Sequence, residues 1–499
     1  MTNSIAVGGL LVLSVLIRLS NLGAPLVEDH AFRQTQTAIT VWTFVTEGIR
    51  PLAYQTPVFG PPWRVPLEFP SFQIAAALLA KAGVSNLDVA CRLTNLLFFY
   101  LSAGILYGLC RMHFEPTSTS VCILLAYVWL PFTIFWSRTS MIDYASVAFA
   151  LAYLYYTSRW LHHPSRWRVL LAAIASGCLA YLTKITTIPI VAVALAWTVW
   201  RWVGNEAGGF GLPAVWNLLA RRSALLAGLI AALVIPFVAG AWWSAYADSV
   251  RAASPATRWL TVRNLGAWNF GTWEQRCSWD YWQRIFKYLR ESFAPSLFVV
   301  LPLLGVWRAV RTAKRDAFAL TMVIGAASAV VIFFNLYWRH NYYLMAASPA
   351  MAIVAGLGLH WSTELVPRPT GRWIVSLLVL TALLWRARSY LAWPLMRLRS
   401  DNQVVVVGQA IREVTTPDEL VVIEGHDWSS DFLYYARRKG LMWRGSVEEM
   451  DPEALRRLLK TNNFTTLVCL NDRSVAAQFW SQHRLVRQLG PYSIYKVSG

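Results

Sequence analysis

Pro70-Ser71-Phe72-Gln73-Ile74-Ala75-Ala76-Ala77-Leu78-Leu79-Ala80-Lys81-Ala82 decides how this chain is laid out. The run is apolar enough to enter a bilayer, but its thirteen residues fall short of the ~20 that a helix needs to cross one, and Lys81 closes it. It reads as a re-entrant or juxtamembrane helix that does not traverse. Around it, longer apolar runs recur near 4–20, 87–110, 117–136, 142–160, 167–183, 185–202, 222–243, 293–310, 317–336, 342–361 and 372–391, eleven in all. A chain that is 56% hydrophobic and 14% charged, with this pattern, has the composition of a polytopic α-helical membrane protein. The run Ser4–Leu19 has no basic residue ahead of it and no small-residue cleavage pattern behind it, so it reads as a retained first helix.

Charge tests the layout. With 70–82 excluded and the N-terminus inside, the inner loops and their flanks hold Arg111, Arg159, Arg166, Arg168, Arg201, Arg221, Arg222, Arg308, Arg311, Lys314, Arg315, Arg368 and Arg372. The short outer loops hold Arg138, Lys184 and Arg339, while Arg92, Arg386 and Arg388 run against the trend. Letting 70–82 cross would invert every later loop against the positive-inside rule. The same count puts the loops 21–86 and 244–292 and the tail from about 398 outside. The net charge of +19 would suggest nucleic acid in a soluble protein. However, residues 398–499 hold 13 Lys/Arg against 12 Asp/Glu, leaving 32 (45 − 13) against 14 (26 − 12) for the membrane part. The excess is an orientation signal with affinity for anionic lipid, and nucleic-acid binding is not expected.

Two domains follow: a membrane domain over 1–397 and a soluble α/β domain over 398–499. In the tail, Val404–Val407, Leu420–Ile423 and Thr466–Leu470 are strand-like, Glu453–Lys460 has helical polarity, and Ser493–Val497 could close a sheet. The tail has no G-x-G-x-x-G fingerprint, so no nucleotide fold is expected. The cysteines at 91, 110, 122, 178, 277 and 469 lack metal-type spacing and read as small core residues.

Carboxylates beside a bilayer are costly, so their placement points to chemistry. Glu28-Asp29-His30 follows the first helix after Asn21, Gly23 and Pro25; the spacing suits Asp29 at a helix N-terminus, with Phe32, Ile39 and Trp42 on one face against lipid. Glu68 stands at the mouth of the short apolar run, Asp143 at an outer helix start after Ser137-Arg138, and Lys184 between two helices with hardly any connection. Each could singly be a cap or a snorkelling cation. Their meeting on one face is harder to explain that way.

Asp29 after the first helix, Glu68-Phe69-Pro70, Ser137-Arg138 leading to Asp143, Leu182-Thr183-Lys184 with Pro189, and Arg339-His340-Asn341-Tyr342-Tyr343 with Pro349 resemble, in this order, the motifs of one family. It is the GT-C glycosyltransferases related to protein O-mannosyltransferases and the lipid A aminoarabinose transferase (glycosyltransferase family 39-like). The resemblance implies a GT-C-like membrane fold with juxtamembrane helices in the first outer loop. It further implies inverting transfer of a sugar from a polyprenyl-phosphate donor to an acceptor hydroxyl on a lipid, glycan or protein. The expected location is a bacterial inner membrane, with the catalytic loops and the tail extracytoplasmic.

That reaction needs a carboxylate to take the hydroxyl proton. Asp29 is the candidate; where the family has Asp-Glu, this chain has Asp29-His30 preceded by Glu28, so Glu28 is the alternate. The departing phosphate calls for cations, with Lys184 and Arg339 first and Arg138 next. A phosphate leaving group needs no protonating acid, unlike glycoside hydrolysis with its paired carboxylates. Asp143, Glu68, His340 and Tyr343 are candidates for sugar or acceptor contacts. His30, Glu68 and Asp143 offer ligand types for a divalent metal ion, although no spacing is diagnostic as H-E-x-x-H would be.

In the loop 244–292, Trp259, Trp268, Trp273, Trp279 and Trp282 stand among Arg258, Arg263, Arg276, Arg284 and Lys287. This suits an interfacial helix and equally a lid over donor phosphate or acceptor. The alternative to a transferase is a membrane transporter or lipid flippase. A transporter should carry ionisable groups near the bilayer midplane, whereas the predicted helix centres here are nearly free of them.

Overall fold

The structure, a computed structural model, describes residues 4–207, 209, 222–293, 299–368, 402–443, 461–470 and 483–497, with scattered single positions in 370–388 and at 457 and 460. Apolar helices make up most of it. Among the described residues, Leu87–His113, Ile185–Ala207, Ser223–Ala252 and Asn341–Glu364 are long and apolar enough to span a bilayer, and shorter apolar helices include Ser4–Leu19, Thr117–Trp129, Trp167–Thr183 and Asp316–Ile332. Most of the expected crossing 372–391, residues 294–298 of the expected crossing 293–310 and most of the helix expected at 453–460 lie outside the described residues.

Two expected continuous helices are broken. The run 117–136 divides into Thr117–Trp129 and Pro131–Trp136 at extended Leu130, because the residue before a proline is pushed out of helical geometry. The run 317–336 breaks at Phe333, so that Phe334–Arg339 forms its own short helix leading into the Arg339-His340 motif.

Asp143–His162 and Leu344–Glu364 are buried along most of their lengths and form the centre of the bundle. Small residues permit the closest approaches. A Cβ on Gly305 would meet Val354 O at 1.8 Å, one on Gly358 would meet Leu301 O at 1.9 Å, and one on Gly325 would meet Ile190 O at 2.2 Å. Backbone-to-backbone packing of this kind is how helices associate where lipid removes most of the hydrophobic drive.

The 70–82 run forms a helix, Ser71–Lys81, of 11 residues. It rises about 16 Å, half a hydrocarbon core. Phe72, Gln73, Ala76 and Ala77 are buried, and the helix packs against Ala31–Glu47 and Leu87–His113.

The tail holds strands β1 (Leu420–Glu424), β2 (Gly440–Trp443), β3 (Phe464–Leu470), β4 (Arg484–Leu489) and β5 (Tyr492–Lys496) in the order β2-β1-β3-β5-β4. β2, β1 and β3 are parallel, and β5 and β4 add antiparallel. Val404–Val407, expected as a strand, belongs to the helix Gln403–Val414. Asn402 caps it by accepting from Val404 N, and Val407, Gly408, Ala410 and Ile411 form its buried face against Asp431–Ala436. Helical burial overrides the β-preference of four successive valines.

The tail and the loop 21–86 share one hydrophobic cluster, which includes Ile39, Phe44 and Val58 from the loop and Ile411, Phe432 and Ile494 from the tail. Residues 57–60 also add to the free edge of β2: Gly440 N donates to Pro57 O at 3.1 Å, Met442 N to Val58 O at 2.8 Å, and Gly60 N to Gly440 O at 3.1 Å. Phe32 and Ile39 therefore face the tail. Phe32 packs edge-on to Trp428 at 4.6 Å and Ile39 is fully buried, in place of the expected contact with lipid.

Candidate active site

The helix Ala31–Glu47 begins one residue later than expected. His30 occupies the N-cap in the left-handed conformation (φ 55°) without a side-chain cap, and Asp29 precedes it. Asp29 is thus released from capping. Its Oδ2 accepts from Asn341 Nδ2 at 3.3 Å, and its side chain stays about a third exposed. His30 Nε2 lies 3.0 Å from Asn341 Oδ1 and 3.9 Å from Asp29 Oδ1, so one amide and one imidazole orient the carboxylate. The His30 ring meets Tyr342 at 4.8 Å, His340 at 5.3 Å and Trp136 at 5.9 Å. His340 stacks on Tyr342 at 5.3 Å. Burial, with His30 and Lys184 adding, pulls its pKa down to about 3, so it is neutral at physiological pH.

Glu28 is placed differently. It is buried and paired with the fully buried Arg92, whose Nη2 lies 2.9 Å from Oε1 and whose Nη1 lies 3.1 Å from Oε2. The same guanidinium donates to the carbonyls of Ala24, Pro25 and Arg138. Glu28 and Arg92 together fold the turn that presents Asp29. Arg92, against the charge trend as a topological signal, has its reason in this pair.

Tyr342 leads to the second part of the site. Lys184 lies under the rings of Tyr343, at 4.3 Å, and Tyr342, at 5.1 Å, and its Nζ donates to Asp143 Oδ1 at 2.7 Å. Both members of that pair are buried, and Asp143 Oδ2 has no hydrogen-bond partner among the described residues. Burial lowers the Lys184 pKa against the pull of Asp143.

Glu68 joins through Arg33, a residue outside the candidate set drawn from the sequence. Arg33 Nη2 pairs with Glu68 Oε1. Burial would weaken the hold of Arg33 on its proton, but Glu68 outweighs it and raises the pKa, with Tyr342, Tyr343 and Asp143 contributing to the same field. The segment carrying Glu68 is pinned to that carrying Lys184. Phe69 N donates to Leu182 O at 3.0 Å, Ser71 Oγ and Thr183 Oγ1 are 2.6 Å apart, and Trp243 Nε1 donates to Leu67 O at 3.1 Å.

Arg339 is exposed, stacked on Trp338 at 4.6 Å and on Trp268 of the loop 244–292 at 5.2 Å. Trp268 also lies 6.1 Å from His340. Arg138 stands elsewhere, buried and donating to Ser20 O at the end of the first helix, with its pKa lowered to about 10 by burial and by Arg92. Among the described residues no three His, Cys, Asp or Glu side chains gather as a metal would require. Glu68 and Asp143 each hold a cation, so the set His30, Glu68 and Asp143 does not fit a metal ion.

Asn341, Tyr342 and Arg33 thus complete the arrangement. The first two stand inside a quoted motif, and Arg33 lies one turn beyond Asp29, which is the signal that could have found it.

Residues 70–207 match the family model of dolichyl-phosphate-mannose-protein mannosyltransferase. The whole fold is similar to that of ArnT from Cupriavidus metallidurans bound to undecaprenyl phosphate, with 15% identity, a TM-score of 0.65, and coverage of 99% of this chain and 98% of that one. It is also similar to the oligosaccharyltransferase AglB from Archaeoglobus fulgidus in complex with an inhibitory peptide and a dolichol-phosphate, with 12% identity, a TM-score of 0.54, and coverage of 95% and 70%. Among curated proteins none matches by sequence. The chain shares the fold of these solved proteins, the GT-C fold that its motifs resemble.

Proposed function

We propose that this chain is an inverting glycosyltransferase that moves a sugar from a polyprenyl-phosphate donor to an acceptor hydroxyl at the outer face of the membrane. The observation that carries this reading is a single path of contacts. Asp29 touches Asn341, which touches His30; His30 packs on Tyr342, and Tyr342 covers Lys184. A partly exposed carboxylate and a sheltered cation thus belong to one site. The two solved relatives support the donor class, since one was bound to undecaprenyl phosphate and the other to a dolichol-phosphate.

In the step proposed, the acceptor oxygen attacks the anomeric carbon while the carbon–oxygen bond to phosphate breaks. That electron pair leaves with the phosphate, and the acceptor proton passes to Asp29. One in-line displacement inverts the anomeric centre. Asp29 serves as base because it is the acid of the motif left with an open face, Glu28 being engaged by Arg92. Lys184 and Arg33 lie where a phosphate entering between Tyr342, Tyr343 and Asp143 would meet positive charge, and Arg339 offers a further cation at the rim. The contacts to sugar hydroxyls we assign to Asp143 Oδ2, which lacks a partner among the described residues, and to Glu68, with the adjoining rings of His340 and Tyr343 beside the donor.

The location proposed, a bacterial inner membrane with these loops outside, rests on the distribution of arginines and lysines. A transporter or flippase would call for ionisable groups along helix centres. Here Asp143 opens its helix, Lys184 closes one, and Arg339 ends one. The test is transfer by purified protein from a polyprenyl-phosphate sugar, with Asp29→Asn beside it. We expect product of inverted configuration from the wild type and a loss of about 100-fold or more in the variant. Undiminished turnover in Asp29→Asn would remove Asp29 from the role.

A further inference from the structure

The loop that leaves β1 of the tail reaches over the catalytic segments. Gly425 and Asp427 take positive φ (89° and 49°), so the chain turns sharply just before the half-buried Trp428. Three aromatic side chains from three separate stretches meet this one indole: Phe32 at 4.6 Å edge-on, Phe59 at 5.4 Å and Trp259 at 5.7 Å edge-on. The next residues grip the same helix. Ser430 Oγ lies 3.0 Å from Thr35 Oγ1 and donates to Phe32 O at 3.4 Å.

Phe32 and Thr35 belong to the first turn and a half of the helix that begins just after Asp29-His30 and carries Arg33. That helix start has no side-chain cap, and His30 sits in a conformation that a non-glycine residue adopts at a cost, so its position must be held from outside. Trp259 belongs to the loop 244–292, whose Trp268 lies against Arg339 and His340. The indole therefore touches both segments that border the site.

We infer that Trp428 is a positioning residue, through which the tail fixes the Asp29–Arg33 segment and the loop of Trp259 against each other; this rests on the proposed transferase reading. The ring contacts of Trp428 among the described residues are with Phe32, Phe59 and Trp259, so it acts on the candidate catalytic groups through these neighbours. Its removal should lower turnover by about 10- to 100-fold, as small misplacements of reacting groups do, while donor KM changes little.

The test uses the full chain in detergent, as wild type, Trp428→Ala and Trp428→Phe, with hydrogen exchange and transfer kinetics measured on the same preparations. We expect faster exchange over residues 28–36 and 256–265 in Trp428→Ala, a lowered kcat, and recovery of both in Trp428→Phe, whose ring restores the aromatic contacts. Unchanged exchange in Trp428→Ala would overturn the inference, and so would faster exchange with unchanged kcat, because the contact would then be only structural. If the wild type shows no transfer, the transferase reading fails. The exchange comparison would still decide whether Trp428 holds the two segments.

Discussion

Lys184 Nζ and Asp143 Oδ1 are 2.7 Å apart, with both side chains almost wholly withdrawn from solvent and the second carboxylate oxygen unpartnered among the described residues. Desolvation of two charges is repaid here by a short contact and two overlying aromatic rings, so removing one partner leaves a buried charge with nothing to balance it. Lys184→Met should therefore destabilise the protein by about 3–5 kcal/mol in thermal or denaturant unfolding. The double variant Lys184→Met/Asp143→Leu should recover most of that stability and none of the transfer activity. Full activity in the double variant would mean that the pair serves folding alone.

Neighbouring carboxylates should respond oppositely. Glu28→Gln strips the buried Arg92 of its counter-charge and should cost about 3 kcal/mol or more. Asp29→Asn, at a position about a third exposed and held by one long hydrogen bond, should shift stability by no more than about 0.5 kcal/mol. Unfolding curves of the two variants, measured in the same detergent, check the contrast.

The pH dependence of stability should carry a contribution from His340. Its folded pKa, pulled down from 6.5 to about 3 by burial, lies below the unfolded value. As pH falls through 6.5 the unfolded chain takes up a proton that the folded chain refuses, so stability present above that pH is lost on the way toward 3. The melting temperature should fall less between pH 7.5 and 5 in His340→Gln than in the wild type, and equal falls would show that this imidazole titrates normally.

Helix packing offers a prediction independent of the site. Gly305→Ala forces a methyl against Val354 O and should cost about 1–3 kcal/mol. Gly8→Ala, whose new methyl meets nothing within 4 Å, should be neutral or slightly stabilising because alanine is the better helix former. Paired melting curves distinguish the two.

Much of this was legible in the residue order, because apolar runs and arginine placement are local signals. The short helix Ser71–Lys81, the strands at 420–424, 464–470 and 492–496, and the tail's mixed α/β character follow from pattern alone. What escaped depends on contacts between distant residues. That Glu28 is neutralised could not be read without knowing that Arg92, 64 positions away, turns back onto it. Val404–Val407 reads as strand until its burial against Asp431–Ala436 is seen. Arg138, beside a motif serine, looked like a phosphate ligand, yet its guanidinium serves the end of the first helix. The face of Phe32 and Ile39 looked lipid-exposed because nothing in the sequence says that the tail folds back over it.

The most direct measurement is a structure of the full chain with a polyprenyl phosphate bound. The phosphate should lie between Lys184 and Arg33, walled by Tyr342 and Tyr343, with the Asp29 carboxylate facing the position of the anomeric carbon from the opposite side. A phosphate seated away from both cations, or on the far side of the helices from Asp29, would contradict the assignment of this cluster as the transfer site.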